Sequence, residues 1–318
     1  MTDLKSKLDS RSELRKSKPR FLIVSRTGTR SLHRHWIGGA GRGFDAFLSC
    51  FDPRAAPEAQ PGVTVEFRPG SKVQGYAGIL RDHAALVNEY DYICFMDEDL
   101  QVTAEVMLAC FRRVAEYDLK IAQPALAWGS HFSYAGLLQQ PQFILRYVNF
   151  VEMMCPIFRK DILQEISPLY SMGFESGIDL IWCNSVVEGP RDFGVIDSCP
   201  ILHTQPVGSR ASENGFRDVH AYEDHVVEVL RRYDLPRHRL ATYEAVTNNG
   251  RRIRGRLNLV LASASLLGAL CHQPKKRTLL KCCADMVIDQ LFRGPRNTPL
   301  RGLENGAVRP KAVKPSSN

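Results

Sequence analysis

Seven consecutive residues, Tyr90-Asp91-Tyr92-Ile93-Cys94-Phe95-Met96, run almost without polar interruption into Asp97-Glu98-Asp99. A short apolar stretch that stops on three carboxylates is the pattern of a strand covered on both faces, with its carboxyl end open to solvent. Upstream, Phe21-Leu22-Ile23-Val24 is a second such run and passes into the polar loop from Ser25 to Arg30. Residues 44–51 predict another strand, stopped by Asp52-Pro53, and Val63-Thr64-Val65-Glu66-Phe67 alternates as a further one. Between these and the acidic run, residues 72–89 place Ile79, Leu80, Ala84, Leu86 and Val87 at helical spacing. Thr103 is positioned to cap a helix with Val106, Met107, Cys110 and Val114 on one face. Residues 120–123 read as a strand ended by Pro124. Alternating strands and helices predict an α/β fold with a mostly parallel sheet flanked by helices. In such sheets ligands bind beyond the carboxyl ends of strands, where strand order switches.

The second half is less regular. Residues 150–158 read as an apolar strand around one carboxylate, Glu152. Asp179 opens a helix before Leu180-Ile181-Trp182-Cys183, and a strand from Phe193 to Asp197 is followed by Pro200-Ile201-Leu202 and His203. The expected organisation is a flexible basic arm (1–19), one α/β domain (20–245), a basic helical extension (246–293) and a disordered tail rich in Pro, Gly, Arg and Lys (294–318). Of the formal +8, residues 1–20 carry seven Lys/Arg against three Asp/Glu and residues 251–318 fourteen against three, so residues 21–250 hold a net −7. An acidic body argues against a nucleic-acid-binding fold. The nine cysteines form no C-x-x-C pair, which argues against zinc; their odd number and the polar start of the chain suggest a cytoplasmic protein. Residues 257–271 are apolar but only fifteen long, short of the roughly 20 a spanning helix needs. Basic residues on both sides leave two readings open: a core or dimer helix, or peripheral contact with an anionic membrane.

Asp97 and Asp99 suit a hard divalent cation, Mn²⁺ or Mg²⁺, which bridges and neutralises a leaving diphosphate as a Lewis acid. In a D-x-D arrangement the outer side chains converge while the middle one points away. His203 is a candidate third metal ligand. Asp179 and Glu152 are carboxylates in apolar surroundings, where burial raises the pKa toward that of a general base; at Asp179 the helix dipole acts in the opposite sense. Lys72, Ser25 and Arg26 are candidates for a nucleotide's phosphates or base. No Gly-rich dinucleotide or P-loop pattern is present.

These blocks resemble domain-of-unknown-function family 707. The run from Tyr90 to Leu100, the stretch Ile121-Ala122-Gln123-Pro124-Ala125-Leu126, residues 150–158, Gly177-Ile178-Asp179-Leu180 and Gly194-Val195-Ile196-Asp197-Ser198 occur in the family's order over about residues 20–210. Lys72-Val73-Gln74-Gly75-Tyr76 departs from it, with Tyr where Trp is common, and Cys155 replaces a small residue. The family is similar in turn to GT-A type glycosyltransferases. The resemblance implies a GT-A-like, Rossmann-like fold. It also implies metal or donor roles for Asp97, Asp99 and His203, with Asp179 as catalytic base and Glu152 as an acceptor-side group. The implied reaction is metal-dependent hexosyl transfer from a nucleotide sugar to a glycan or other hydroxyl. A nucleotidyltransferase and a non-catalytic carbohydrate- or nucleotide-binding protein are the alternatives.

Overall fold

The computed structural model describes residues 18–38, 41–206, 220–237, 240–304 and 307–310. The expected arm lies almost wholly outside them. Strands β1 (Phe21–Thr27), β2 (Asp45–Cys50) and β3 (Val63–Phe67) lie side by side in parallel, followed by helix α1 (Lys72–Asp82). The acidic run then closes β4 (Tyr92–Met96), which returns to the other side of β1, again in parallel. Every residue of β1 and β4 is buried, as expected of strands covered on both faces. The strand order reverses between β1 and β4. The loops leaving these two strands therefore border the crevice in which α/β sheets bind ligands.

After the two-residue β5 (Leu100–Gln101) comes α2 (Ala104–Glu116), which buries Met107, Cys110, Phe111 and Val114. The Thr103 hydroxyl accepts from the Val106 amide at 3.4 Å, capping it as the sequence predicts. The sheet continues through β6 (Ile121–Leu126), β7 (Phe143–Val148) and β8 (Ile157–Arg159). Helices α3 (Lys160–Ile166) and α4 (Ile178–Ser185) lead to the long β9 (Phe193–His203), then α5 (His220–Arg232), β10 (Thr242–Thr247) and β11 (Arg252–Arg254). The eleven-stranded sheet has the order β3-β2-β1-β4-β8-β6-β9-β7-β10-β11, with β5 paired to the end of β9. Strands β1, β2, β3, β4, β6, β9 and β10 run one way, and β5, β7, β8 and β11 run against them. The α/β class and the mostly parallel sheet are thus as expected. Helices α6 (Arg256–Ala262) and α7 (Lys276–Ile288) follow, joined by 3-10 turns over Ser263–Cys271. A hairpin of β12 (Leu300–Glu304) and β13 (Ala307–Pro310) ends the described chain.

Several sequence expectations are corrected. Pro124 does not end its strand: β6 runs on to Leu126, and the proline sits where the register with β9 slips, so its missing N–H costs little. The helix expected over 72–89 breaks at His83 into α1 and a single turn, Ala84–Val87. Glu152 lies on a loop rather than in a strand, because β8 starts only at Ile157. Strand β10 spans residue 245, and β11 continues the main sheet beyond it. Asn297 donates to the carbonyls of Asn149 and Cys183 at 2.8 and 2.7 Å, and Leu300 is fully buried.

Gly177 precedes α4 at φ +82°, and a Cβ there would lie 3.3 Å from Val226 Cα on α5. Both effects resist a side chain at the turn that launches Asp179. Gly177→Ala should cost about 1–2 kcal/mol, read by urea unfolding. An unchanged midpoint would show that the turn tolerates a side chain.

Candidate functional site

Lys72 is the first residue of α1, and its place is set from a distance. The Glu175 carboxylate accepts from the Val73 and Gln74 amides at 2.9 and 3.4 Å and from the Ser71 hydroxyl. An anion thereby caps the otherwise unsatisfied amino end of α1. The Lys72 ammonium then reaches Asp97 Oδ1 at 2.5 Å and the Met153 carbonyl at 3.0 Å. Burial acts to lower the lysine pKa, but the charge and hydrogen bond of Asp97, with the nearby Asp99, together carry the net shift upward. Asp97 is raised by burial, with Lys72 opposing.

The three side chains of the acidic tripeptide take different partners. Glu98 points to the other loop, where its carboxylate accepts from the Gly28 amide at 2.5 Å and its carbonyl from the Leu32 amide at 2.7 Å. Asp99 instead meets His203. The two lie 104 positions apart and come together because β5 pairs antiparallel with the end of β9, placing Leu100 opposite His203. Further bonds hold this corner: the Thr204 hydroxyl donates to the Asp99 carbonyl at 2.8 Å, and the His203 amide donates to Ser130 Oγ at 3.1 Å. His203 Nδ1 lies 3.0 Å from the His131 carbonyl. A carbonyl only accepts, so Nδ1 carries the proton and Nε2 is turned to Asp99 Oδ2, 3.5 Å away. Burial acts to lower the His203 pKa, but the bond to Asp99 and its charge raise it overall. A histidine fixed through one nitrogen with the other beside a carboxylate has the arrangement of a metal-ligating imidazole.

The loop carrying Glu152 joins both sides of the site. Its Met153 carbonyl receives Lys72, while its Met153 amide donates to Asp179 Oδ2 at 3.3 Å. The Met154 carbonyl accepts from the Asp97 amide at 2.9 Å. Asp179 sits in the first turn of α4, 8% exposed, and Oδ1 accepts from the Leu180 amide at 3.0 Å. Burial pushes its carboxyl up to about 7, with Glu152 acting the same way and the Met153 and Leu180 amides opposing. Here desolvation outweighs the helix terminus. Glu152 is also raised, chiefly by burial, against a hydrogen bond from Ser133.

Lys72, Asp97, Asp99, Glu152, Asp179 and His203 are therefore brought together, and two candidates are not. Ser25 is fully enclosed within β1. Arg26 is turned inward, where its guanidinium holds Ser49 Oγ and the carbonyls of Arg68 and Gly70, each at 2.8 Å. It ties β1 to the loop entering α1.

Sequence reasoning missed Glu175, which sits about 100 positions from the helix it caps and carries no local signal. It also missed Gln123, a fully buried side chain whose Oε1 accepts from the Glu152 amide at 2.7 Å. Its Nε2 has no partner among the described residues. An amide inside an apolar strand was the available clue. Among the described residues, no three His, Cys, Asp or Glu side chains form a ready metal cage.

No protein-family model matches the chain, and no curated protein matches it. The resemblance to family 707 stands on the quoted blocks alone. Solved structures of S. aureus TarS are similar at low level. The fragment 1–349 has 11% identity and a TM-score of 0.39 over 94% of this chain and 98% of that one. The same fragment in complex with UDP gives 11% and 0.34 over the same shares. A structure of S. aureus TarS gives 11% and 0.38 over 85% of this chain and 54% of that one. At such scores the likeness carries no weight for activity, which has to be read from the site itself.

Proposed function

We propose that this chain is a metal-assisted glycosyltransferase of the hexosyl-transfer kind, moving a sugar from a nucleoside-diphosphate donor to a hydroxyl of a glycan or other acceptor. The observation that carries the reading is the bridge made by Met153. Its carbonyl holds Lys72, on the side of Asp97, Asp99 and His203, and its amide holds Asp179, a buried carboxyl raised to about 7. A cationic anchor for phosphate and a base tuned to neutral pH are thus held by one residue of the loop that follows β7.

The local charge also favours a divalent cation. Asp97, Asp99, Glu152 and Asp179 outnumber Lys72 and His203, and a diphosphate would be repelled by that excess without a counter-ion. Asp97 is engaged by Lys72, leaving Asp99 and His203 as the adjacent pair. One carboxylate and one imidazole, completed by phosphate oxygens and water, fit Mn²⁺ or Mg²⁺ and explain why no all-protein cage is needed. When bound, such an ion supplies Lewis-acid neutralisation of the leaving diphosphate. Asp179 takes the proton of the acceptor hydroxyl as its oxygen attacks the anomeric carbon and the bond to the phosphate oxygen breaks. A base set to take the acceptor proton suits a single, inverting displacement. Glu152 keeps Asp179 basic through its charge and borders the acceptor side.

The test is product analysis. The protein is incubated with nucleotide sugars and small hydroxyl acceptors, with Mn²⁺, Mg²⁺ or chelator. Release of a nucleoside diphosphate that requires the cation is expected. Pyrophosphate release from nucleoside triphosphates would instead make the chain a nucleotidyltransferase. Tight donor binding without any product would make it a binding protein.

A further inference from the structure

Of the nine large hydrophobic side chains that the described residues expose, six lie between 257 and 292: Leu257, Leu261, Leu267, Leu280, Ile288 and Phe292. The first three form a pattern. Leu257, Leu261, Ala264, Leu267 and Cys271 are all exposed and recur at helical spacing along α6 and the 3-10 turns that extend it, while Leu259, Leu266 and Ala269 face inward. Leu257, Leu261 and Leu267 are 60%, 65% and 57% exposed. An outward leucine stripe beside a separate inward one is not needed to pack this segment.

Charge flanks the stripe at both ends. From Ala245 to Ala284 there is no Asp or Glu and there are eight Lys/Arg. Arg252 and Arg254 are engaged by Glu244. Arg251, before the stripe, and Lys275, Lys276, Arg277 and Lys281, after it, form no ion pair among the described residues. No helix of the described chain is long and apolar enough to cross a membrane.

We propose that this face, residues 251–281, docks in the plane of an anionic lipid bilayer, with the leucine stripe among the acyl chains and the flanking cations on the headgroups. A second copy of the chain is the poorer occupant. Any two-fold pairing of the stripe with itself sets cation cluster against cation cluster, with no carboxylate in the segment to relieve them. The face is also fixed to the rest of the molecule. Gln273 Nε2 donates to the carbonyls of Trp128 and Ser130, at 2.5 and 2.8 Å, on the loop that holds His203. The inference stands apart from the catalytic reading, since it uses none of the site residues.

The experiment is co-sedimentation of the full chain with vesicles of phosphatidylcholine alone or mixed with phosphatidylglycerol, at low and high salt. Binding is expected only with phosphatidylglycerol and should weaken with salt. Leu257→Glu with Leu261→Glu should weaken it at least about tenfold. Lys276→Glu or Arg277→Glu should each cost about fivefold or more. All four positions are exposed, so thermal midpoints should stay at the native value, separating lost docking from lost folding. Equal binding to uncharged vesicles, or native-like binding by both sets of variants, overturns the proposal. So does a dimer in sedimentation that the leucine variants dissolve while the native chain ignores vesicles.

Discussion

Asp179→Asn should lower turnover by about 100- to 10,000-fold, the usual contribution of a positioned base, while leaving donor affinity nearly unchanged. The amide keeps the size of the carboxyl, and its one oxygen can still accept from one of the Met153 and Leu180 amides, but it cannot take a proton. The same substitution makes an opposite prediction for stability. The folded pKa of Asp179 is raised to about 7 by burial, above an unfolded value of roughly 3.9. The neutral carboxyl's advantage is therefore present at low pH and is lost as pH rises through 7. Above that, the native protein carries a desolvated charge that asparagine lacks. Asp179→Asn should thus be more stable than native at pH 8, by up to about 4 kcal/mol, and the gain should vanish near pH 4. Denaturant unfolding at the two pH values checks this. A structural role for Asp179 would show the reverse, a loss of stability together with turnover.

Asp197→Ala should destabilise the fold by about 3–5 kcal/mol, enough to threaten folding at ordinary temperatures. Asp197 on β9 and Arg146 on β7 are essentially unexposed and meet through two bonds, 2.8 and 3.0 Å long. The guanidinium also donates to the carbonyls of Gly136 and Leu138, at 2.5 and 3.2 Å, and the aspartate accepts from the Gln140 amide at 2.8 Å. Removing the carboxylate leaves a buried cation with no counter-charge, which costs far more than the pair itself contributes. The double change Arg146→Met with Asp197→Leu should recover part of the loss. It cannot recover all of it, because the Gly136 and Leu138 carbonyls then lack donors. Chemical unfolding of the single and double variants measures the difference, and a single variant as stable as native would contradict a structural role for the pair.

The parts of the fold legible in the sequence are those fixed by local pattern. The apolar runs of β1 and β4, the alternation of β3 and the capped, one-sided α2 each follow from side-chain periodicity within a dozen residues. The site was legible where chemistry departs from its surroundings: three carboxylates after an apolar strand, and Asp179 before an apolar helix. Long-range pairing was not legible. Strands β7, β10 and β11 are ordinary in composition and become strands because β9 and one another offer them edges. The capping of α1 by Glu175 and the tethering of His203 by His131 join segments far apart in the chain. Arg26 shows the converse error. A basic residue in a loop next to a cleft suggested a phosphate ligand, yet its neighbours supply carbonyls enough to draw it inside.

The most direct test of the central claim, that Asp99 and His203 complete a cation-dependent donor site, is thermal unfolding of native protein and Asp99→Ala. Both would be scanned with nucleoside diphosphates, including UDP, and nucleotide sugars, with and without Mn²⁺. A ligand at about 100 times its dissociation constant stabilises by roughly 2.7 kcal/mol, a rise of about 2 °C or more for a chain of this size. The expected result is a rise for one nucleotide series that needs Mn²⁺ and disappears in Asp99→Ala. An equal rise in the variant, or none with any nucleotide, would contradict the donor site.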